Sequence, residues 1–192
     1  HHKMMETALK KLKDAFGNSI HLMAGNVATL EAFEDLSHWG ADSIRVGIGG
    51  GSICSTRIVT GHGVPTFQSD LECAKTSYDT KIIADGGIKT TGDMVKALAA
   101  GADFVMIGSL LSGTDETPGE VLVGAKGEKY KEYRGMASKR PNVIGVVSPQ
   151  LLKVSRLWCL IRGPLAISLK ISMAVFAAAF LIQACETLKN FK

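Results

Sequence analysis

The chain reads as an α/β protein in which parallel strands are covered by helices, and three observations carry that reading. Helical and strand-length apolar patterns alternate along it in the order αβαβαβαβ. The strand candidates are unbroken apolar runs, the pattern of parallel strands covered on both faces. Finally, "GADSIRVGIG" (40–49) and "GADFVMIGSL" (101–110) share a helix-stopping glycine, an Ala-Asp pair, a strand and a closing glycine. Repeated βα units mark a barrel or an open α/β sheet. Chemistry in such folds collects at the C-terminal ends of the strands.

Each element follows from local pattern. Residues 4–16 place Met4, Met5, Ala8, Leu9, Leu12 and Phe16 at helical spacing, with lysines opposite, and Gly17-Asn18 stops the helix. "IHLMA" (20–24) is a strand candidate. Thr29 can cap a helix through Leu36 that Gly40 ends. "SIRVGI" (43–48) is the next strand, and after a glycine-rich loop, 69–77 reads as a helix with Leu71 and Ala74 inward. "KIIA" (81–84) is a strand followed by Asp85-Gly86-Gly87; Thr91 to Ala100 is a helix that Gly101 ends. "DFVMIG" (103–108) is a strand followed by Ser109, and 120–133 reads as two short strands around a glycine-containing turn.

Composition narrows the function classes. The 192 residues suffice for one ordinary domain with a sizeable core, and 46% hydrophobic with 21% charged residues is the balance of a soluble globular protein. The opening "HHKMMETALKKLKDAFG" is charged and amphipathic, unlike the apolar core of a secretory signal. The net charge of +4 arises after Lys139, where seven basic residues meet one acid, Glu186. That excess lies in a tail and not on a patterned face, so no nucleic-acid partner is expected. The four cysteines, Cys54, Cys73, Cys159 and Cys185, form no CxxC pair, and reduced thiols in a cytoplasmic setting are expected.

Three strand ends carry small or polar residues suited to an anion: Gly47, Gly49, Gly50, Gly51 and Ser52; Asp85-Gly86-Gly87; and Gly108-Ser109. Glycine lets backbone N–H groups approach an anion closely, and a serine hydroxyl adds a donor. Three such loops at successive strand ends favour a ligand site over isolated turns. Asp85 is either an acceptor for ribose hydroxyls or a local turn aspartate. A GxGxxG dinucleotide loop is excluded, because the required glycines are replaced by Ser52 or Cys54. Cys54, in a loop of small residues past a strand end, is either a small packing residue or a reachable thiol whose thiolate nearby amide dipoles favour. Cys73, within a helix, reads as structural.

The stretches "RVGIGGGSICSTR", "IIADGGI", "FVMIGSLL" and "YKEYRGM" resemble, in order and spacing, the motifs of the IMP dehydrogenase/GMP reductase family over residues 1–139. The resemblance implies a (β/α)8 TIM barrel, of which this chain holds about four C-terminal βα units. It implies that Cys54 is the nucleophile attacking C2 of a purine, with Thr56 beside it. Ser52, Gly87, Gly108, Ser109 and Tyr133 would hold the 5′-phosphate, and Asp85 with Gly86 the ribose side. Gly135 and Met136 would contact the base. Carbonyls of Gly49, Gly51 and Cys54 would form a K+ site, while Asn26 and Arg45 match positions near the nicotinamide. The implied reactions are GMP to IMP with NADPH or, alternatively, IMP to XMP with NAD. "STRIVTGHGVP" and "LECA" look more like the reductases. Purine mononucleotide substrates, cytoplasmic location and a homo-tetramer belong to the same implication. An inactive nucleotide-phosphate-binding fragment is the reading of another class.

The resemblance stops after Lys139. Where reductases of the family carry a glutamate, this chain has Lys139, Arg140 and Pro141, and it lacks the Arg-Tyr pair of the dehydrogenases. Shifting the codon frame by one base permits "RPNVIG" to read A-Q-C-D-W, a family-like continuation, and much of the remaining tail behaves likewise. Residues 140–192 are therefore expected to be an atypical, frame-shifted tail. The run 171–185 is apolar, but its 15 residues fall short of the roughly 20 needed to span a bilayer, and a tail anchor is not expected.

Overall fold

The computed structural model describes residues 2–133, apart from 113, 117 and 128, together with the strand Leu157–Leu160. The chain divides into two compact units: His1–Gly51, Thr56–Gly87 and Lys96–Met106 form the first; Ser52–Ser55, Ile88–Val95 and Ile107–Lys192 form the second.

The first unit is a four-stranded parallel sheet with strands in sequence order: β1 (Met23–Val27), β2 (Ser43–Val46), β3 (Lys81–Asp85) and β4 (Phe104–Met106). Helices precede or connect these strands: α1 (Lys3–Phe16), α2 (Leu30–His38), α3 (Thr56–Thr60) and α4 (Thr66–Cys73). As the sequence led us to expect, Thr29 is the N-cap of α2, its hydroxyl accepting from the Ala32 N–H at 3.3 Å. Such a cap contributes about 1 kcal/mol. Helix α2 packs on β1 and β2, and α4 packs on β2, β3 and α2. Val27, Phe33, Leu36, Ile44, Val46 and Ala84 are fully buried between these layers. Each large apolar side chain so buried stabilises the fold by roughly 1.5–3 kcal/mol.

Five details depart from the sequence reading. Strand β1 begins at Met23, beyond the apolar start at 20, because the Asp42 carboxylate takes the Leu22 N–H (2.7 Å) and parallel pairing aligns Met23 with Ser43. Helix α4 starts earlier, directly after Pro65, and ends at Cys73. Its buried face is therefore Ser69, Asp70 and Cys73, while Leu71 and Ala74, read as inward, are exposed. The central strands β2 and β3 are largely enclosed, but Met23 on β1 and Phe104 on β4 are exposed; among the described residues each of those strands pairs on one side only. In α1 only Leu9 of the apolar stripe is buried; Met4, Leu12 and Phe16 remain exposed. The five-residue helix α3 carries no apolar periodicity long enough to announce it.

Helix α5 (Thr91–Ala99) opens on a reciprocal cap: Asp93 accepts from the Thr90 N–H at 2.9 Å, and the Asp93 N–H donates to the Thr90 hydroxyl at 3.2 Å. In the second unit, β5 (Leu122–Val123), β6 (Lys129–Tyr133) and β7 (Leu157–Leu160) form an antiparallel sheet in that order, with a turn closed by the Gly127 N–H on the Gly124 carbonyl. Lys131 is buried, its ammonium donating to the carbonyls of Thr114 (3.1 Å) and Asp115 (2.9 Å). Strand β7 sets Cys159 opposite Lys131 on β6.

Candidate active site

Several of the described residues singled out by the sequence, among them Asp85 and Ser52, lie at C-terminal strand ends or in the loops that follow them. In the first unit three neighbouring strands converge on one carboxylate. Asp85 ends β3. Arg45, on β2, donates from Nη2 to Asp85 Oδ2 at 2.6 Å. Asn26, on β1, donates from Nδ2 to the same oxygen at 2.7 Å and to the Gly47 carbonyl at 2.9 Å. Both neighbours of that amide are acceptors, so its orientation is determined by its partners. The β1–β2 register slips between Gly25 and Val27, which leaves Asn26 outside the regular pairing. Such irregularities re-aim a side chain, here across β2 toward β3.

Glycines make this convergence possible. Gly47 has φ +137°, and a Cβ there would overlap the Asp85 carbonyl oxygen. Gly86 has φ +102°, and a Cβ there would come within 3.0 Å of the Gly51 amide nitrogen. The loops after β2 and β3 thus meet backbone to backbone. The glycine run serves this mutual approach of strand-end loops as well as any ligand. Gly47 was expected in this loop as part of an anion-binding strand end; Thr66, whose hydroxyl lies 3.4 Å from the Asp85 carbonyl, was not among the expected site residues, and no local pattern signalled it.

In the second unit the hydroxyls of Ser52 and Ser109 stand 3.0 Å apart, although 57 residues separate them in sequence. The Ser109 carbonyl accepts from the Ser112 hydroxyl at 2.9 Å, and the Gly108 carbonyl from the Leu111 N–H at 3.0 Å, which folds 108–112 into a tight turn. Cys54, two residues after Ser52, is a half-buried thiol. Thr56 begins α3 in the first unit. Cys73 contrasts with Cys54: it is fully buried, and burial, followed by the charges of Asp70 and Glu72, pushes its thiol up to about 12. Cys73 is therefore an inert packing thiol, as expected for its place in a helix. Tyr133 ends β6; Gly135 and Met136 lie outside the described residues, as does 171–185. Among the described residues no helix is long and apolar enough to cross a membrane.

A parallel α/β sheet with polar residues gathered at its strand ends defines the class: an α/β protein of the kind whose chemistry collects at the C-terminal edge of the strands. The sequence matches the family model described as "IMP dehydrogenase / GMP reductase domain" over residues 1–149, and the chain belongs to that family. The match extends past the Lys139 end of the motif resemblance. The chain is 52% identical over 141 residues to an inosine-5′-monophosphate dehydrogenase of Methanocaldococcus jannaschii, covering 72% of this chain and 28% of the relative. It is equally 52% identical over 128 residues to a GMP reductase of Leishmania major, covering 66% of this chain and 26% of the relative. A crystal structure of a GMP reductase variant from Trypanosoma brucei in complex with guanosine 5′-monophosphate superimposes with a TM-score of 0.77 at 36% identity, over 90% of this chain and 37% of that one. The chain thus spans 26% to 37% of the length of these proteins. The family's relatives are oxidoreductase enzymes, and the parallel four-stranded sheet agrees with a partial barrel of that fold.

Proposed function

We propose that the chain carries the C-terminal half of the active site of a purine-mononucleotide oxidoreductase, with GMP as substrate and IMP as product. The observation that carries this is the presentation of Asp85 at the end of β3 by Arg45 and Asn26, which leaves Oδ1 without a partner among the described residues. A carboxylate oxygen held in that way suits the hydroxyls of a ribose. The paired hydroxyls of Ser52 and Ser109 suit the oxygens of a 5′-phosphate, with Gly87, Gly108 and Tyr133 completing that end. Gly135 and Met136 take the base.

In the chemistry proposed, the Cys54 thiolate attacks C2 of GMP and the 2-amino group leaves as ammonia with a proton. The resulting thioimidate accepts a hydride at C2, and Cys54 departs as thiolate to release IMP. NADPH supplies that hydride when bound. Asn26 fits a nicotinamide neighbour through its one remaining acceptor, Oδ1, because its amide N–H groups are spent on Gly47 and Asp85. Thr56 lies in the same loop region as the nucleophile. The carbonyls of Gly49, Gly51 and Cys54 are neutral oxygen donors, a set suited to K+. Cytoplasmic location and homo-tetrameric assembly belong to the same proposal.

Relatives of both names occur at the same identity, so the dehydrogenase reaction, IMP to XMP with NAD, is the second reading. Incubating the purified chain with GMP plus NADPH, and separately with IMP plus NAD, while following absorbance at 340 nm, separates the two. Protection of Cys54 from alkylation by GMP reports binding in the absence of turnover. Absence of both turnover and protection at millimolar nucleotide would overturn the proposal. The division into a family segment, 1–139, and a frame-shifted tail, 140–192, is also proposed. Sequencing independent cDNA across the Lys139 codon tests it, and a clean read in the present frame overturns it.

A further inference from the structure

We propose that Arg45 and Asn26 are positioning residues that set ribose selectivity through Asp85. This deepens the purine-nucleotide reading given above and rests on it. Two donors from two different strands converge on a single oxygen, Oδ2, at 2.6 and 2.7 Å. A carboxylate held by one donor can rotate about its terminal torsion, which is broad and soft. Held by two donors on the same oxygen, it turns its other oxygen to one fixed direction. Oδ1 has no hydrogen-bond partner among the described residues, and the Asp85 side chain keeps 20% of its surface exposed. A vicinal diol is the ligand group that matches such an acceptor.

The arrangement is mutual. Among the described residues Arg45 has no acceptor other than Asp85, and its Nε is buried without a partner. The guanidinium is therefore dedicated to Asp85 and is not shared with a wider ion network. Asn26 ties the same carboxylate to the Gly47 carbonyl, so the orientation of Asp85 is coupled to the first residue of the glycine loop. Loss of either donor should release the carboxylate, and the effect should be felt only by ligands that use it.

The experiment uses the full 192-residue chain and calorimetric titration with GMP and with 2′,3′-dideoxy-GMP. Arg45→Gln should weaken GMP binding about tenfold and change dideoxy-GMP binding less than about twofold, the scale of one hydrogen bond to a charged group. Asn26→Ala should act in the same direction. Asp85→Ala should bind the two ligands alike, and adding Arg45→Gln to it should cost nothing more. Arg45→Lys should restore part of the preference for GMP. If Arg45→Gln unfolds the chain by circular dichroism, Asn26→Ala and Arg45→Lys carry the test. Equal losses for both ligands would mark Arg45 and Asn26 as merely structural and overturn the inference. A wild-type chain that binds GMP and dideoxy-GMP equally also overturns it, while leaving the nucleotide reading intact. A wild-type chain that binds neither removes both.

Discussion

Asp85 and Asp70 are both withdrawn from bulk water on elements that pack together, β3 and α4, yet their situations are opposite. Asp85 ends a strand and receives donors from the two neighbouring strands. Asp70 lies on the inward face of α4 with 1% of its surface exposed, and among the described residues neither of its carboxylate oxygens has a partner. Burial pushes Asp70 up to about 7. The adjacent Ser69 hydroxyl is likewise buried and unpartnered. The difference shows that what a buried carboxylate does depends on its donors. A paired one is an ordered acceptor available to a ligand. An unpaired one is a cost that the surrounding apolar packing must offset.

The largest effect should come from Gly47→Ala, which removes the backbone approach on which the Asp85 side of the comparison rests. The positive φ and the overlap with the Asp85 carbonyl should destabilise the chain by about 3 kcal/mol or more, measured by urea unfolding. A Gly47→Ala chain of unchanged midpoint would show that the two strand-end loops can separate freely. Next, Asp85→Ala and Asp70→Leu should move stability in opposite directions. Losing the paired carboxylate should cost about 2 kcal/mol, whereas filling the Asp70 site with an apolar side chain should stabilise by about 2 kcal/mol at pH 8. Two changes of the same sign would break the comparison.

The pH dependence is a third test, bearing on the Asp70 side alone. Asp70 titrates from 3.8 in the unfolded chain to about 7 in the folded one, so the folded state holds its proton more tightly. Its contribution is fully present below the unfolded value and is lost as pH rises toward 7. Stability should therefore fall across that window, with a limiting slope of about 1.4 kcal/mol per pH unit from this group. Asp70→Asn should flatten this part of the profile in thermal melts between pH 4 and pH 8, and an unaltered slope would assign the effect elsewhere. Smallest on stability should be Ser52→Ala and Ser109→Ala, within about 0.5 kcal/mol for half-exposed hydroxyls. Both should nonetheless weaken mononucleotide binding several-fold while leaving nucleoside binding unchanged.

Much of this was legible in advance, and unevenly. Local signals carried α1, α2 and α5: an apolar stripe, a capping threonine and stopping glycines all act within a few residues. The strand-end loops were legible because glycine, serine and aspartate clusters interrupt apolar runs. Helix α4 was misplaced because its inward face holds Ser69, Asp70 and Cys73, two of them polar, so its hydrophobic pattern points the wrong way. The apolar stripe of α1 was read correctly as helical, but tertiary packing covers only Leu9 of it.

By itself, the sequence determined the alternation of strands and helices, the glycine-rich strand ends and the positions of Cys54, Ser52, Asp85 and Ser109 at strand ends or in the loops that follow. Those features depend on backbone preference and short-range periodicity. Only the tertiary structure decided which polar atoms meet. Arg45 reaches Asp85 across 40 residues of chain and Asn26 across 59, distances over which no local pattern specifies a hydrogen bond. It also decided the opposite fates of two aspartates. Partners and burial are properties of packing, and packing brought two donors to Asp85 and, among the described residues, none to Asp70.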